Sequence, residues 1–516
     1  MKKIFLSLAV LASVSLVSCD MNLLPDGSLN EDEAVETVTD CNRFRAGFYS
    51  NFRALTSSSI NLYPELQCDN FQALAPLYGN QAGDIFKGTF TSATSDFSSA
   101  YASLYSVIGT INYFLPKAEA LVDNPDFTNQ QVAEINRDLG EAHFFRAYYY
   151  YMLFDRFCQT WSDSKKDTPA LGCALVTEYH PTSDRASYPG RSTMAETFKL
   201  IYDDLDYAEK AITTWENLSG ESIVPGANYI NSQVITAFRA RLALLQGNKT
   251  DAMKYANEVI NSGYYELSTY STYASIWIND DPLKEILFMP YIDASEAPSC
   301  NKYGPAYWCP TDGVSARYIP SNATLTAYST RDCRRDVFFE QRDLSMVGED
   351  VPTYCFVKWP GNPAYASIST AKGVNASKPF RLAEMYLIVA ECADETEANE
   401  ALATLRAARI RLYNKNTKYS GEELVNEVRT ERMKELIGEG YRLSDLRRWG
   451  IGFTRDSETP TPNFPVSDYN TLYFVAGGMD LSYAPGDYRM VWPIPSDEMQ
   501  ANPQMAGQQN PGYGSN

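Results

Sequence analysis

The chain has 516 residues, with 44 Lys and Arg against 64 Asp and Glu, ten cysteines and two histidines. A formal charge of -20 on a chain that is 44% hydrophobic and 21% charged describes a foldable protein with an acidic surface, which repels phosphodiester backbones and argues against nucleic acid as a partner. The two histidines, His143 and His180, are too few for a histidine-rich metal cage and leave little room for Ser-His-Asp or Cys-His chemistry, so neither a metal nor a cofactor is expected.

The chain opens with Met1-Lys2-Lys3 and an apolar run from Ile4 to Val17, 14 residues, which suits the h-region of a signal peptide and is shorter than the roughly 20 residues that span a bilayer. The run ends in Leu16-Val17-Ser18-Cys19, which resembles a bacterial lipobox. Cys19 is the expected lipidation site, residues 1–18 the leader, and 19–516 the mature chain. Several acyl chains on one residue anchor stably where a single chain does not. Losing Lys2 and Lys3 with the leader moves the charge from -20 to -22. No later segment is apolar over enough length to be a second span. The nine other cysteines contain no CxxC pair. Cys158/Cys173, Cys300/Cys309 and Cys333/Cys355 are close enough in sequence to be disulfide candidates in an exported protein, with buried free thiols as the alternative.

Helical periodicity dominates the mature chain. Weak patterns cover about 31–55 and 98–122. Thr128-Asn129-Gln130-Gln131 is a capping-box pattern, and Val132, Ile135, Leu139, Ala142, Tyr149, Leu153 and Phe157 then lie on one stripe, predicting a long amphipathic helix over 129–158. His143, beside Phe144 and Phe145, reads as a packed residue of that helix. Thr193 and Glu196 form a second box ahead of Phe198, Ile201, Leu205, Ala208 and Ile212. Asn231 caps a helix ending near Gly247, and Thr250 is placed to cap the next, which ends at Asn261-Ser262-Gly263. The 231–263 pair has about the 34-residue length of a tetratricopeptide repeat. Arg381 to Cys392 with Thr396 to Leu412 repeats the arrangement, and Glu422 to Leu436 adds a further helix.

Residues 57–96, 264–379 and 450–516 are rich in Pro, Gly, Ser and Asn, lack a sustained helical period, and are too long for ordinary connections. Within the second stretch Tyr303, Tyr307, Trp308 and Tyr318 sit among Gly304, Pro305, Pro310 and Gly313, placing flat rings on turn-prone backbone. Aromatic faces stack on the C-H faces of sugars while Asn, Asp and Arg bond hydroxyls; the same rings could instead fill a small core beneath the loops.

Gly140-Glu141-Ala142-His143-Phe144-Phe145-Arg146-Ala147-Tyr148-Tyr149-Tyr150 resembles the "GEA..LRA.YY" helix of the SusD/RagB outer-membrane lipoproteins. The resemblance continues through Asp203-Asp204-Leu205, Ala237 to Ile260, Arg381-Leu382-Ala383-Glu384, Leu405 to Arg409, Glu431 to Leu436, Glu439-Gly440-Tyr441-Arg442, Asp445 to Trp449 and the closing Pro493-Ile494-Pro495 and Asn510-Pro511-Gly512-Tyr513. Two departures stand out: Phe157-Cys158-Gln159-Thr160-Trp161 enters a charged, longer loop where the family has a short Gly-x-Pro turn, and Leu443 replaces a frequent aromatic.

The resemblance implies a mainly α fold: a tetratricopeptide-like scaffold of four helix pairs, here about 30–56, 97–263 and 380–449, carrying a large irregular, loop-rich ligand-binding subdomain from about 57–96, 264–379 and 450–516. It implies a glycan captured at the outer face of the outer membrane and passed to a SusC-like TonB-dependent transporter, with no bond broken. Glu141, Arg146, Glu431 and Arg432 read as ties between helices. Within that frame the expected ligand contacts are Tyr303, Tyr307 and Trp308, with Trp277 and Tyr273, joined by Tyr78, Asp69 and Asn70 from the first loop. Peptide capture within the same family, and a glycoside hydrolase using two carboxylates, are the alternatives.

Overall fold

A computed structural model describes residues 34–73, 83–292, 318–346, 349–365, 374–455 and 482–514. Helix α1 (Val38–Thr56) opens with a capping box: Thr37 Oγ1 accepts from the Asp40 N-H, and the Asp40 carboxylate accepts from the Thr37 N-H. Helix α2 (Ser59–Leu66), strand β1 (Phe71–Ala73) and helix α3 (Gly83–Lys87) come next, so the first stretch expected to be irregular contains two helices. Both are too short to show a 3.6-residue period.

Helix α4 (Ser95–Val122) leads to α5 (Asn129–Phe157), where the Thr128/Gln131 box forms as predicted. Sequence reading makes α5 amphipathic, yet every residue from Asp138 to Phe157 is buried. The cause is that α1, α4 and α6 (Met194–Ser219) all pack around it. Tyr49 of α1 meets Phe145 edge-on at 4.9 Å, and Phe198 of α6 meets Phe154 at the same distance, the edge-to-face geometry that ring quadrupoles favour. Gly140 lets α5 and α6 approach closely: a Cβ there would lie 2.7 Å from the Ala211 Cβ.

The Thr193/Glu196 box opens α6, and Asn231 Oδ1 accepts from the Val234 N-H at the head of α7 (Ser232–Leu245). Helix α8 (Lys249–Ile260) is capped by Asn248 and not by Thr250, because the Asn248 carboxamide both accepts from the Asp251 N-H and donates to the Asp251 carboxylate. Consecutive helices pack from α4 through α8, and α8 then packs on α12 (Leu382–Cys392). Helices α13 (Glu395–Arg409) and α14 (Gly421–Leu436) continue the array. The two helix pairs read in the sequence are therefore α7–α8 and α12–α13, and residues 261–381 are an excursion from a continuous scaffold.

The excursion holds short pieces: α9 (Tyr273–Ile278), β2 (Ile286–Phe288), β3 (Tyr318–Pro320), α10 (Asn322–Thr326), α11 (Cys333–Phe338), the hairpin β4 (Phe339–Met346) and β5 (Glu349–Phe356), and β6 (Phe380–Arg381). After α14 come α15 (Arg442–Trp449), β7 (Phe453–Thr454), β8 (Ser482–Tyr483) and α16 (Ser496–Ala501). Among the described residues every sheet is two-stranded and antiparallel: β1 with β3, β2 with β6, β4 with β5, β7 with β8. The described cysteines are free thiols; Cys158 and Cys173 place their Sγ atoms 3.7 Å apart, whereas Cys19, Cys300 and Cys309 lie outside the described residues.

A buried ion cluster joins the excursion to the scaffold. The Glu435 carboxylate of α14 faces Arg334 of α11 (3.0 Å), Arg381 (2.8 Å) and Arg409 of α13 (3.1 Å). Glu431, one turn earlier, faces Arg334 and Arg406, and Glu285 receives Arg409 at 2.5 Å. The other ties expected from the sequence also form: Glu141 is held by Arg45, Arg146 by Asp204, and Arg432 by Asp445.

Replacing Glu435 with Gln keeps the volume and removes the charge that three guanidinium groups share; it is expected to cost about 3–5 kcal/mol, read as a fall in the urea unfolding midpoint. A second prediction concerns acid. Burial pushes the Glu391 carboxyl up, but Arg448 and the Trp449 Nε1-H outweigh it and hold it at about 2. A folded value below that of free glutamate, about 4.3, means that the stabilisation is complete above that pH and is lost as pH falls toward the folded value. Glu391→Gln is therefore expected to flatten the fall of Tm between about pH 4 and pH 2.

Candidate ligand-binding face

Strand β1 pairs with β3 in the register Phe71 to Pro320, Gln72 to Ile319 and Ala73 to Tyr318. Ala73 is the last described residue before 74–82, which contains Tyr78, and Tyr318 is the first after 293–317, which contains Tyr303, Tyr307 and Trp308. The two segments on which sequence reading puts the ligand rings thus meet the described fold at the same end of one ladder. Those four residues themselves lie outside the described residues.

The base of this ladder is tied from three sides. Arg442, first residue of α15, grips Asp69 through two parallel bonds of 2.8 and 2.7 Å; burial raises the Asp69 carboxyl and this guanidinium outweighs it, leaving it below the usual range. Glu65 Oε1 accepts from the Gly440 and Tyr441 N-H groups at 2.9 and 3.1 Å, serving the otherwise unpaired donors at the start of α15. Gly440 is glycine for a reason: its φ is +89° and a Cβ would press on the Asn61 carbonyl at 3.0 Å. Arg455, after β7, is buried and donates to the Leu66 and Cys68 carbonyls, a cation at the C-terminus of α2. On the far side, the Asn70 carbonyl accepts from the Ser321 N-H and the Thr324 hydroxyl.

Several expected contacts therefore change role. Asp69 is a structural latch. Asn70 is 2% exposed, with its amide directed to Glu65, and belongs to the base rather than to the ligand face. Tyr273 is fully buried: its hydroxyl donates to Glu435 and Arg409 stacks over its ring at 4.1 Å, so it is a core residue of the ion cluster. Trp277 is 1% exposed, edge-on to Phe338 and Trp359, with Lys358 Nζ 4.4 Å from its ring centre. It lines a cavity of about 60 Å³ at the seam between scaffold and excursion, with Trp359, Tyr148, Tyr441, Arg241 and Glu439. Spacing on turn-prone backbone cannot separate a ring facing solvent from one folded inward; that depends on what packs above it. Among the described residues no group of three or more His, Cys, Asp or Glu side chains is placed to hold a metal ion.

The fold is a continuous helical array interrupted by one excursion, with the β1–β3 ladder between them. The model of a family described as SusD family matches residues 346–513, and another, described as starch-binding associating with outer membrane, matches 49–219. SusD-like protein P38 of Formosa agariphila is 24% identical over 497 residues, 87% of this chain and 91% of P38. SusD-like protein P2 of the same organism is 23% identical over 559 residues, 99% of this chain and 100% of P2. A SusD superfamily protein from Bacteroides thetaiotaomicron superposes with a TM-score of 0.75 at 23% identity, covering 92% of this chain and 100% of that one. A SusD-like carbohydrate binding protein from Bacteroides vulgatus gives 0.70 at 18% identity, covering 92% and 98%. The chain belongs to the SusD/RagB family.

The latch makes a local prediction. Asp69→Asn removes the charge that Arg442 grips and is expected to cost about 1–3 kcal/mol. Limited proteolysis with mass spectrometry should find faster cleavage between residues 66 and 90 while cleavage within α5 is unchanged.

Proposed function

We propose that this protein is a cell-surface glycan-binding lipoprotein, anchored in the outer membrane through Cys19, that captures oligosaccharide or polysaccharide and hands it to a SusC-like TonB-dependent transporter without cleaving it. The observation that carries this reading is the β1–β3 ladder: it gives the Tyr78 segment and the Tyr303, Tyr307 and Trp308 segment a common, rigidly tied origin in a chain of this family. Attachment rests on the lipid, since no helix among the described residues is long and apolar enough to cross a membrane. A charge of -22 after loss of the leader favours a neutral glycan over a polyanionic one.

Binding without catalysis fits the carboxylates. Among the described residues, Glu65 and Asp138 are the acids held above their usual range, both chiefly by burial, Asp138 at about 6. Glu65 accepts from backbone N-H groups and Asp138 is paired with Arg137. Neither lines the Trp277 cavity or the larger cavities beside α4.

Trp308→Ala and Tyr307→Ala are each expected to weaken glycan affinity about tenfold, ~1.4 kcal/mol, in calorimetry or affinity electrophoresis. Changes within about twofold would remove these rings from the site. Polysaccharides incubated with the protein should stay intact; release of reducing ends would overturn the binding-only reading. Cys19→Ala should move the protein from the membrane to the soluble fraction.

A further inference from the structure

Between α5 and α6, where the sequence departs from the family pattern, residues 158–193 form a connection of turns with one 3-10 turn at Arg185–Ser187, and residues 174–176 lie against α4. Three side chains pin it. Tyr105 donates to the Ala174 carbonyl at 2.8 Å, Asn112 to the Val176 carbonyl at 2.7 Å, and the Tyr150 hydroxyl both donates to that carbonyl and accepts from the Val176 N-H. The next residues, Thr177 to Tyr179, are exposed and form a wall shared by two cavities of about 620 and 800 Å³, within the size range of small-molecule sites.

Tyr113 and Tyr179 meet edge-on at 5.1 Å beside the smaller cavity, and Tyr179 is 45% exposed. Lys117, Glu119 and Glu178 also line it. So does His143, whose Nδ1 lies 2.6 Å from an Asp204 oxygen and whose ring stacks on Tyr207 at 4.1 Å. The Nε2 atom is buried, so His143 belongs to the floor of this cavity and not to its polar rim. The larger cavity continues the wall with Tyr101, Tyr188 and Pro189, rimmed by Asp497 and Glu498, and contains His180. Both histidines of the chain thus line this one surface.

We propose that the Tyr179 wall and its two cavities form a second saccharide site, for a neutral oligosaccharide, built by α4, α5 and residues 174–189 and not by the loop segments carrying Tyr78 and Trp308. The tyrosine faces suit sugar C-H faces, and Lys117, Glu119 and Glu178 suit hydroxyl groups. Glu119, Glu178, Asp497 and Glu498 make the rim acidic, which disfavours polyanions. The inference rests on the glycan-binding reading and differs from it in where the glycan sits.

The test is calorimetry of the mature chain with neutral gluco-, xylo-, manno- and galacto-oligosaccharides, in a Trp308→Ala/Tyr307→Ala background. Binding should persist there and weaken about tenfold on adding Tyr179→Ala, while Tyr179→Phe, which keeps the ring, should change it less than about twofold. Residual binding indifferent to Tyr179→Ala, or no binding left in the loop-site double variant, overturns the second site and leaves the loop site standing. No binding by the wild-type chain overturns both readings for neutral glycans. Loss of transporter co-purification in Tyr179→Ala with glycan affinity unchanged overturns it in favour of a polypeptide partner.

Discussion

The structure depends on the buried charge cluster centred on Glu435. Helices α12, α13 and α14 could bury an apolar stripe against one another without it, but the excursion between α8 and α12 is built of one hairpin with shorter strands and helices of five or six residues. Phe288 and Phe380 pack on scaffold rings such as Phe52 and Phe144, and beside that apolar contact the two parts are joined by carboxylates and guanidinium groups contributed by both. Glu285 and Arg334 come from the excursion, Arg409, Glu431 and Glu435 from the scaffold helices, and Arg381 from the boundary strand. Each of these groups is costly to bury alone, and the cost is offset only when its partners from the other body are in place. The cluster therefore adds directional constraints on how the two parts meet, beside the aromatic core around α5 into which Phe380 of the boundary strand also packs. Lys358 shows the balance: burial pulls it down to about 8 against the pull of Glu439, and its ammonium lies over the Trp277 ring.

This arrangement explains what the family motifs do in the fold. Glu431, Arg432, Glu439, Gly440 and Arg442 are all committed: the first two to Arg406 and Asp445, Glu439 to Arg381 and Lys358, Gly440 to Glu65, Arg442 to Asp69. Their joint effect is to hold the end of α2, Asp69, Asn70 and β1 rigid from beneath. Loops rising from such a base can vary in sequence without disturbing the fold, and in a binding protein such loops are where specificity resides.

The sequence was most legible where a local hydrogen bond or a long period decides the outcome. The boxes at Thr128 and Thr193 and the cap at Asn231 formed because their partners lie within three residues. It was least legible where burial depends on distant chain. Tyr273 and Trp277 carry the same pattern as Tyr303 and Trp308, yet Phe338, Trp359, Arg409 and Glu435, far along the sequence, enclose them. Conversely Tyr179-His180-Pro181 and Tyr188-Pro189 carry the cue of rings on turn-prone backbone, but their segment lies outside the three long irregular stretches and its length alone does not mark it as a site.

By itself the sequence determined the family, the helical character and pairing of the scaffold, its capping chemistry, and the charged residues that would tie helices together. These arise from interactions spanning a few residues or from patterns repeated over many. Only the tertiary structure decided which polar and aromatic residues face inward: that Asp69 is a latch, that Asn70 and Tyr273 are enclosed, and that the base of the loops is one ladder. Exposure is a property of the packed whole, set by contacts such as Asp69 with Arg442 and Tyr273 with Glu435 that join residues more than a hundred positions apart.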